Sequence, residues 1–363
     1  MIFYLYYYLS SFLITLITLR NININRNKNY EKYVLFIIIF ITIIIISLRY
    51  ETGGDWKRYL YLYSVNSEVT FMSLWSWDEP LYKLISFLTY EIYPNQINLF
   101  QFVCCVIFFS SVTPFLISQK SPMLAFTFLL FPGIYIVLIG FERQALALGV
   151  LMLAYTHLNN KNNVHGIILI IISFLLHKSA IIFYPLIIFI FINYNFSLFF
   201  RQFWFYIFNI AMIILLYFIT SLDLTFLDKA PLFNSYIQDN NSSNSRGVFF
   251  RLIPTFISIF IYSFYIYKNN LRSMPKWIDY NYLIGLFVIY FTFFGFLTLA
   301  DRINYYLIPF NIFLLISICF DKNNNIVISK IYLCFIMYLV MLLIWLGLSE
   351  FSYKMWQPFM LVF

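Results

Sequence analysis

Long apolar runs separated by short polar segments define the pattern of this chain. Most runs have about the length that a helix needs to cross a hydrocarbon core of about 30 Å, roughly 17 to 25 residues. The pattern therefore predicts an all-α, polytopic integral membrane protein with about twelve transmembrane helices. The expected spans lie near residues 2–19, 33–48, 96–118, 122–140, 141–158, 164–176, 179–192, 203–221, 247–267, 280–299, 303–320 and 326–347.

One apolar stretch, from residue 164 to residue 192, is interrupted by the polar sequence His177, Lys178, Ser179. The stretch is long for one crossing and short for two full crossings. We interpret the interruption as a break between two short helices. This break also brings the loops at 20–32, 268–279 and 321–330, which are rich in Lys and Arg, to the same side of the membrane.

The distribution of Lys and Arg predicts the orientation, because basic loops stay on the cytoplasmic side. Both termini are then external, and so are two long segments, 49–95 and 222–246. In the first of these, the sequence Glu79 to Tyr93 predicts an interfacial or re-entrant helix. No internal repeat of fixed period is present, so we expect a single transmembrane domain, residues 1–363.

Composition supports a membrane protein and excludes a soluble domain. Of the 363 residues, 62% are hydrophobic and only 10% are charged, whereas soluble domains have about 25% charged residues. The formal charge of +8 comes from residues scattered among apolar segments, so it predicts membrane topology and no nucleic-acid partner. The four cysteines all lie in apolar runs without metal-binding spacing and are expected to fill the core.

Several external cations occupy one kind of position, the first turn of a helix that runs inward. A cation there opposes the helix macrodipole by roughly 0.3 to 1 kcal/mol, so its presence needs another reason. A bound anion supplies one, since helix N-termini and Arg side chains together bind phosphate and diphosphate. The candidate diphosphate-binding residues are Arg143, Lys178, Arg246, Arg251 and Arg302, with Arg49 in the first external segment.

An alternative reading is that these cations snorkel to the lipid headgroups, with Glu142 and Asp301 as local partners and helix caps. The two readings differ in geometry. An anion site requires that Arg49, Arg143, His177 and Arg302, with Arg246 or Arg251, line one external-facing cavity. Under the alternative, the cations scatter around the perimeter and face lipid.

Three residues are candidates for the catalytic acid–base chemistry. His177 is preferred, because the neighbouring Lys178 should favour a neutral imidazole that accepts a proton from a sugar hydroxyl. Asp55 follows two glycines whose turn can bring it to a ligand, and Glu142 is the third candidate. The external carboxylates Asp78 and Glu79 are compatible with the role of general base and with that of a solvated charge in a loop.

Aromatic residues can stack on sugar rings. The candidates for this role are Trp56, Tyr59 and Tyr305, besides Trp75 and Trp77.

Motifs for ATP hydrolysis, serine hydrolases and zinc or other metal binding are missing from the sequence. We therefore expect no cofactor and no metal.

Five short motifs occur in a characteristic order. They are Arg49 with Gly54, Asp55, Trp56 and Tyr59; Glu79, Pro80 and Tyr82; Glu142 to Ala147; His177 to Ala180; and Asp301 to Tyr306. In this order the motifs, from about residue 45 to residue 310, resemble the EpsG-like family of polysaccharide polymerases, the Wzy-type enzymes of O-antigen and capsule assembly. Gly54 stands where the family often has Thr or another residue, so Arg143, His177 and Arg302 carry the resemblance better.

The resemblance implies a metal-independent glycosyltransferase. Such an enzyme moves a growing chain from one undecaprenyl diphosphate onto the terminal sugar of another lipid-linked oligosaccharide. It would lie in the bacterial inner membrane with its active site facing the periplasm, and its partners would include lipid-linked repeat units and a chain-length regulator. A GT-C-like architecture is compatible with this reading.

Two alternative functions share many of these features. A flippase for the same lipid-linked units would be a transporter, with related halves and charges deep within its spans; neither feature is evident in the sequence. An O-antigen ligase would have a much larger late external loop than the segment 222–246.

Overall fold

The structure is a computed structural model, which describes residues 2–25, 28–68, 71–76, 79–94, 96–192, 247–267, 275–320, 326–357 and 359–361. The predicted span 203–221, the segment 222–246 and the candidate Arg246 lie outside these ranges. Within them the chain divides into two compact units. Unit 1 contains Met1–Tyr184 and Ile312–Phe363, and unit 2 contains Pro185–Asn311.

Unit 1 is almost entirely helical. In chain order its elements are α1 (Ile2–Asn25), α2 (Lys28–Ser47), β1 (Arg49–Tyr50), α3 (Trp56–Ser64), two 3₁₀ turns (Val65–Glu68 and Phe71–Ser76), α4 (Pro80–Ile92), α5 (Asn98–Ser118), α6 (Pro122–Leu129) continued by a π-helix (Leu130–Leu138), α7 (Glu142–Asn159), α8 (Asn163–Leu176) and a 3₁₀ turn (Lys178–Phe183). The long helices α5 and α7 are largely buried and pack against each other. Helix α8 packs against α7, and α2 packs against α5.

The remaining helices belong to unit 2 and to the end of the chain. They are α9 (Tyr184–Ile192), α10 (Val248–Arg251), α11 (Ile253–Tyr267), α12 (Lys276–Phe293), α13 (Leu297–Tyr305), α14 (Ile308–Cys319), α15 (Ile328–Leu348) and α16 (Glu350–Trp356), followed by β2 (Met360–Leu361). The division between the units falls within α9 and α14. The end of the chain, from α15 onward, belongs to unit 1.

The described helices include 5 that are long and apolar enough to cross a membrane. They are Ile2–Arg20, Asn29–Ser47, Asn98–Ser118, Val248–Tyr265 and Ile328–Leu348. The pair α13 and α14 forms a further candidate that is bent by 61° at its break. The expectation of an all-α membrane protein is thus confirmed, while the number of twelve spans stays a prediction.

The sequence around His177 breaks the helix as predicted. Helix α8 ends at Leu176, His177 adopts an extended conformation, and a 3₁₀ turn follows before α9. The predicted helix in the first long segment is also present as α4, which starts at Pro80. Proline suits the first position of a helix, because its missing N–H would have no partner there.

A buried carboxylate, that of Glu31, caps the start of α6. The Glu31 carboxylate accepts hydrogen bonds from the Ser121 hydroxyl and from the Met123 backbone N–H, the latter at 2.9 Å. Ser121 itself accepts from the Leu124 N–H at 3.2 Å. A carboxylate at a helix N-terminus meets unpaired N–H groups and the positive end of the dipole. This accounts for a fully buried Glu31.

Unit 2 has a buried polar cluster between α11, α13 and α14. The Thr255 hydroxyl donates to Asn304 Oδ1 at 2.6 Å and accepts from Asn311 Nδ2 at 3.0 Å. Asn304 Nδ2 in turn donates to the Arg251 carbonyl at 3.0 Å. Buried polar groups need such partners, so the cluster fixes these three helices in one arrangement.

Cysteine placement agrees with the prediction. Cys104, Cys105, Cys319 and Cys334 are free and buried.

Candidate functional site

Two consecutive residues at the start of α7 anchor the charged site of unit 1. Glu142 forms an ion pair with Arg49 Nη2, and both side chains are nearly inaccessible, with 1% of Arg49 and 2% of Glu142 exposed. Arg49 Nη1 also donates to the Leu138 carbonyl at 3.3 Å. Arg49 Nε and Glu142 Oε2 have no hydrogen-bond partner among the described residues. The pair therefore ties the segment after α2 to the first turn of α7.

The next residue, Arg143, takes part in a second network. Its Nη1 donates to Glu79 Oε2 at 2.7 Å, and its guanidinium carbon lies 6.0 Å from the centre of the Tyr82 ring. The other oxygen of Glu79 pairs with His177 Nδ1 and accepts from the Lys178 backbone N–H at 3.4 Å. Glu79 thus bridges the start of α7 and the break after α8.

Electrostatics at Glu79 follow from this bridge. Burial alone would raise the pKa of the carboxyl, but the hydrogen bond and charge of His177, together with Arg143, lower its pKa from 4.5 to about 2. The carboxylate is therefore ionised at neutral pH. An ionised carboxylate on Nδ1 favours a proton on that nitrogen, so the lone pair of a neutral His177 is on Nε2. This tautomer is the one that a general base needs.

Asp55 and the nearby aromatics complete the site. Asp55 precedes α3 and is partly exposed, and its charge is close enough to that of Glu142 to interact. The Tyr59 hydroxyl lies 3.5 Å from Asp55 Oδ2. Trp56 and Tyr59 are buried in α3. In this structure their rings pack within the protein, and their role as sugar contacts stays a prediction.

Unit 2 holds a separate ion pair. Arg251 makes two hydrogen bonds to Asp301, Nε to Oδ1 at 2.7 Å and Nη2 to Oδ2 at 2.8 Å. The Tyr305 hydroxyl donates to the same Asp301 Oδ2 at 3.1 Å. Arg302, the next residue, is partly exposed. The guanidinium of Arg251 is thus engaged by a carboxylate of unit 2.

The predicted site residues therefore fall into two groups. Unit 1 brings together Arg49, Glu142, Arg143, Asp55 and His177. Lys178, directly after His177, also belongs to unit 1. The second group, in unit 2, consists of Arg251, Arg302 and Tyr305. The expectation of one shared cavity stays a prediction.

Sequence reasoning did not predict the bridging role of Glu79. It was considered as a base or a solvated loop charge and as part of a motif, and it was not selected among the site residues. The hypothesis that Lys178 sets the charge of His177 stays a prediction, and the structure adds a contact between the ring and the Glu79 carboxylate. Its position directly before a helix that starts with proline was the feature of the sequence that could have drawn attention to Glu79. Its partners, 64 and 98 residues away, were not visible in the sequence.

The described residues include no group of three or more His, Cys, Asp or Glu side chains that could hold a metal ion. Charged side chains of the site form three ion pairs, Arg49 with Glu142, Arg143 with Glu79, and His177 with Glu79. Such a site can orient a base and present cations to an anion.

Long apolar helices define an integral membrane protein, and the buried network of ionisable side chains is its candidate polar site, because unshielded charges are costly in such a protein. The family model described as EpsG family matches residues 32–359. The match covers nearly the whole chain, and the chain belongs to the EpsG family. Membership indicates a polysaccharide polymerase-type function in membrane polysaccharide biosynthesis.

Two further comparisons returned nothing. No curated protein matches the chain, and no solved structure matches it.

Proposed function

We propose that this protein is a polysaccharide polymerase that joins lipid-linked oligosaccharide repeat units by metal-independent glycosyl transfer. The substrates are repeat units carried on undecaprenyl diphosphate, and the reaction takes place on the periplasmic face of the bacterial inner membrane. The proposal includes about twelve spans and a GT-C-like arrangement. It rests on family membership and on one observation above all, the bridge that Glu79 forms between His177 and Arg143.

The bridge supplies a base for the acceptor sugar. The acceptor hydroxyl attacks the anomeric carbon of the donor chain, and its proton passes to His177 Nε2. Glu79 holds the ring through Nδ1 and stabilises the imidazolium that forms, as a buried carboxylate does for a catalytic histidine. Asp55, beside Glu142, is the second candidate for the base.

Cations beside the base are proposed to stabilise the negative charge of the leaving group. The bond between the anomeric carbon and the diphosphate oxygen breaks, and the lipid diphosphate leaves with its electron pair. Arg143 and Lys178 flank Glu79 and His177 and are proposed to stabilise the developing charge. The diphosphate-binding role that the sequence predicts for Arg246 and Arg302 stays part of the proposal. Arg49 and Arg251 are held by Glu142 and Asp301, and we assign them the role of positioning these carboxylates.

The test is the surface polysaccharide of a strain that lacks the gene. The strain is complemented at equal protein levels with wild type, Glu79→Ala, Arg143→Ala, His177→Ala or Arg302→Ala. His165→Ala is the matched control, because His165 is an exposed histidine that pairs with Asn162. We expect the control to give a normal ladder and the variants to leave only a single capped repeat unit on the gel.

Other results would identify a different function. Loss of even the single unit in the gene-deleted strain would point to a flippase or a ligase. Normal ladders from all four variants would mean that the network is structural and would overturn the assignment of the site.

A further inference from the structure

The end of the chain returns to the first external segment. Strand β2 pairs antiparallel with β1, with Arg49 opposite Leu361 and Tyr50 opposite Met360. The Gly53 N–H donates to the Met355 carbonyl at 2.7 Å, and the Met360 N–H lies 3.4 Å from Thr52 Oγ1. The last described residues thus contact the segment from Arg49 to Gly53, which directly precedes Gly54 and Asp55.

The buried side chain of Trp356 holds the end of the chain in this position. Its side chain is 1% exposed, and its Nε1 donates to the Tyr135 carbonyl at 2.8 Å. Its own carbonyl accepts from the Tyr4 hydroxyl at 3.1 Å, and its ring lies edge-on to Trp345, with centroids 5.2 Å apart. A fully buried indole with its N–H satisfied is among the most strongly fixed side chains in a protein.

Glycines let two backbone segments approach this indole closely. A Cβ on Gly140 would collide with Trp356 Cζ2, and a Cβ on Gly54 would lie 3.1 Å from Trp356 Cη2. Gly140 lies two residues before Glu142, and Gly54 directly precedes Asp55. The Asp55 N–H also donates to the Gly140 carbonyl at 3.3 Å. The indole is therefore packed against both segments that carry the charged residues.

We infer that Trp356 is a positioning residue of the active site, and that its indole supports the two segments that carry Asp55 and Glu142. The indole sets the separation between the segment 49–56 and the start of α7. That separation decides whether Arg49 reaches Glu142 and how close Asp55 lies to it. The inference rests on the proposed function for its catalytic consequence, while the packing relationship stands on the contacts alone.

The first experiment uses purified full-length protein. Its substrate is the lipid fraction extracted from the gene-deleted strain, in which unpolymerised repeat units accumulate. We expect Trp356→Ala to lower kcat by about 10- to 100-fold with KM nearly unchanged, because displaced reacting groups slow chemistry more than binding. Trp356→Phe keeps a ring in place and should restore much of the rate. Tyr353→Ala, an exposed aromatic in the same short helix, is the matched control and should match wild type.

A pair of milder variants covers the case in which Trp356→Ala does not fold. Gly140→Ala should lower kcat, because the added methyl displaces the indole. Combining Gly140→Ala with Trp356→Phe removes the indole atoms that the methyl meets, so the double variant should be more active than Gly140→Ala alone. Independent effects of the two substitutions would overturn the inference.

Hydrogen exchange gives a readout that does not depend on catalysis. In Trp356→Ala the amides of Gly53 and Asp55 should exchange faster than in wild type, while those of α5 should not change. Unchanged kcat in an active preparation, or faster exchange throughout the chain, would overturn the positioning role. A wild-type protein that makes no polymer, with the local change in exchange still present, would overturn the proposed function and leave the packing role in place.

Discussion

Glu79 and His177, 98 residues apart in the chain, are joined through Glu79 Oε1 and the imidazole Nδ1. The same carboxylate receives Arg143 on its other oxygen. One buried anion thereby holds a candidate base and a candidate diphosphate ligand. Its position explains why the catalytic and anion-binding residues that we propose can act together.

Glu79→Gln tests the charge of this bridge with little change in shape. The amide cannot stabilise an imidazolium as a carboxylate does, so we expect kcat for polymerisation to fall by about 100-fold or more. The assay is polymerisation of extracted lipid-linked units by the purified variant. Glu91→Gln, on the exposed face of the same helix, is the control and should retain activity; equal rates for both variants would exclude the role of Glu79.

Acid stability should depend on the same residue. The pKa of Glu79 is lowered from 4.5 to about 2, so its stabilising contribution is present above pH 4.5 and is lost as the pH falls towards 2. The full contribution is of order 3 kcal/mol. Thermal unfolding of wild type and Glu79→Gln at pH 7, 5 and 3 should show a difference in Tm that shrinks with acid. A difference independent of pH would contradict the ion-pair explanation.

The charge of Lys83 should destabilise the folded protein, in contrast to the charge of Glu79. Lys83 is a buried side chain of α4 whose Nζ donates to the Leu62 carbonyl at 3.2 Å, and burial lowers its pKa from 10.5 to about 8. The folded state thus carries a penalty below pH 8 that is relieved between pH 8 and 10.5. We expect Lys83→Met to stabilise the protein by about 1 kcal/mol at pH 7, since the lost hydrogen bond offsets part of the gain.

The measurement for Lys83 is the difference in Tm between wild type and Lys83→Met from pH 7 to pH 10.5. This difference should shrink as the pH rises. Lys57→Met, an exposed lysine on α3, serves as control. A destabilised Lys83→Met protein at pH 7 would show that the hydrogen bond outweighs the burial cost.

Removing one member of the Arg49–Glu142 ion pair should destabilise the fold more than removing both. Removing one partner leaves a buried charge without compensation, so Arg49→Met or Glu142→Met should destabilise unit 1 by about 3 to 5 kcal/mol. The double variant removes both charges and should recover much of the loss. Chemical unfolding of the three variants checks this, and additive losses in the double variant would argue against the direct pair.

Arg251 and Arg302 are neighbours of Asp301 with different roles. Lysine cannot reproduce the two hydrogen bonds of Arg251, so Arg251→Lys should lower the free energy of unfolding by about 1 to 3 kcal/mol. Arg302 is partly exposed, so Arg302→Lys should cost less stability than Arg251→Lys, and it should lower polymerase activity if Arg302 binds the diphosphate. Tm and activity of both variants separate the two roles, and a stability loss from Arg302→Lys alone would reverse the assignment.

Much of the local structure was predictable from the chain. The break at His177, the helix that starts at Pro80, and the buried cysteines all follow from short-range patterns of apolar, helix-breaking and small residues. The charged residues Arg49, Asp55, Glu142, Arg143 and His177 were also predicted as candidate site residues, because ionisable side chains in an apolar chain are costly and few.

Partner choice was not predictable from the chain. Nothing in the sequence pairs Glu142 with Arg49 in place of its neighbour Arg143, or Asp301 with Arg251 in place of Arg302. These choices depend on which face of a helix each side chain occupies and on which helices pack together. The bridging role of Glu79 was missed for the same reason.

The sequence alone determined that this protein is a helical membrane protein with a few ionisable residues near its helix ends, since apolar length and charge cost act locally along the chain. The tertiary structure decided how those residues combine. It placed Glu79 between His177 and Arg143, and it brought Trp356 at the end of the chain against Gly54 and Gly140. Contacts of this kind join positions tens to hundreds of residues apart, and only the packing of the helices fixes them.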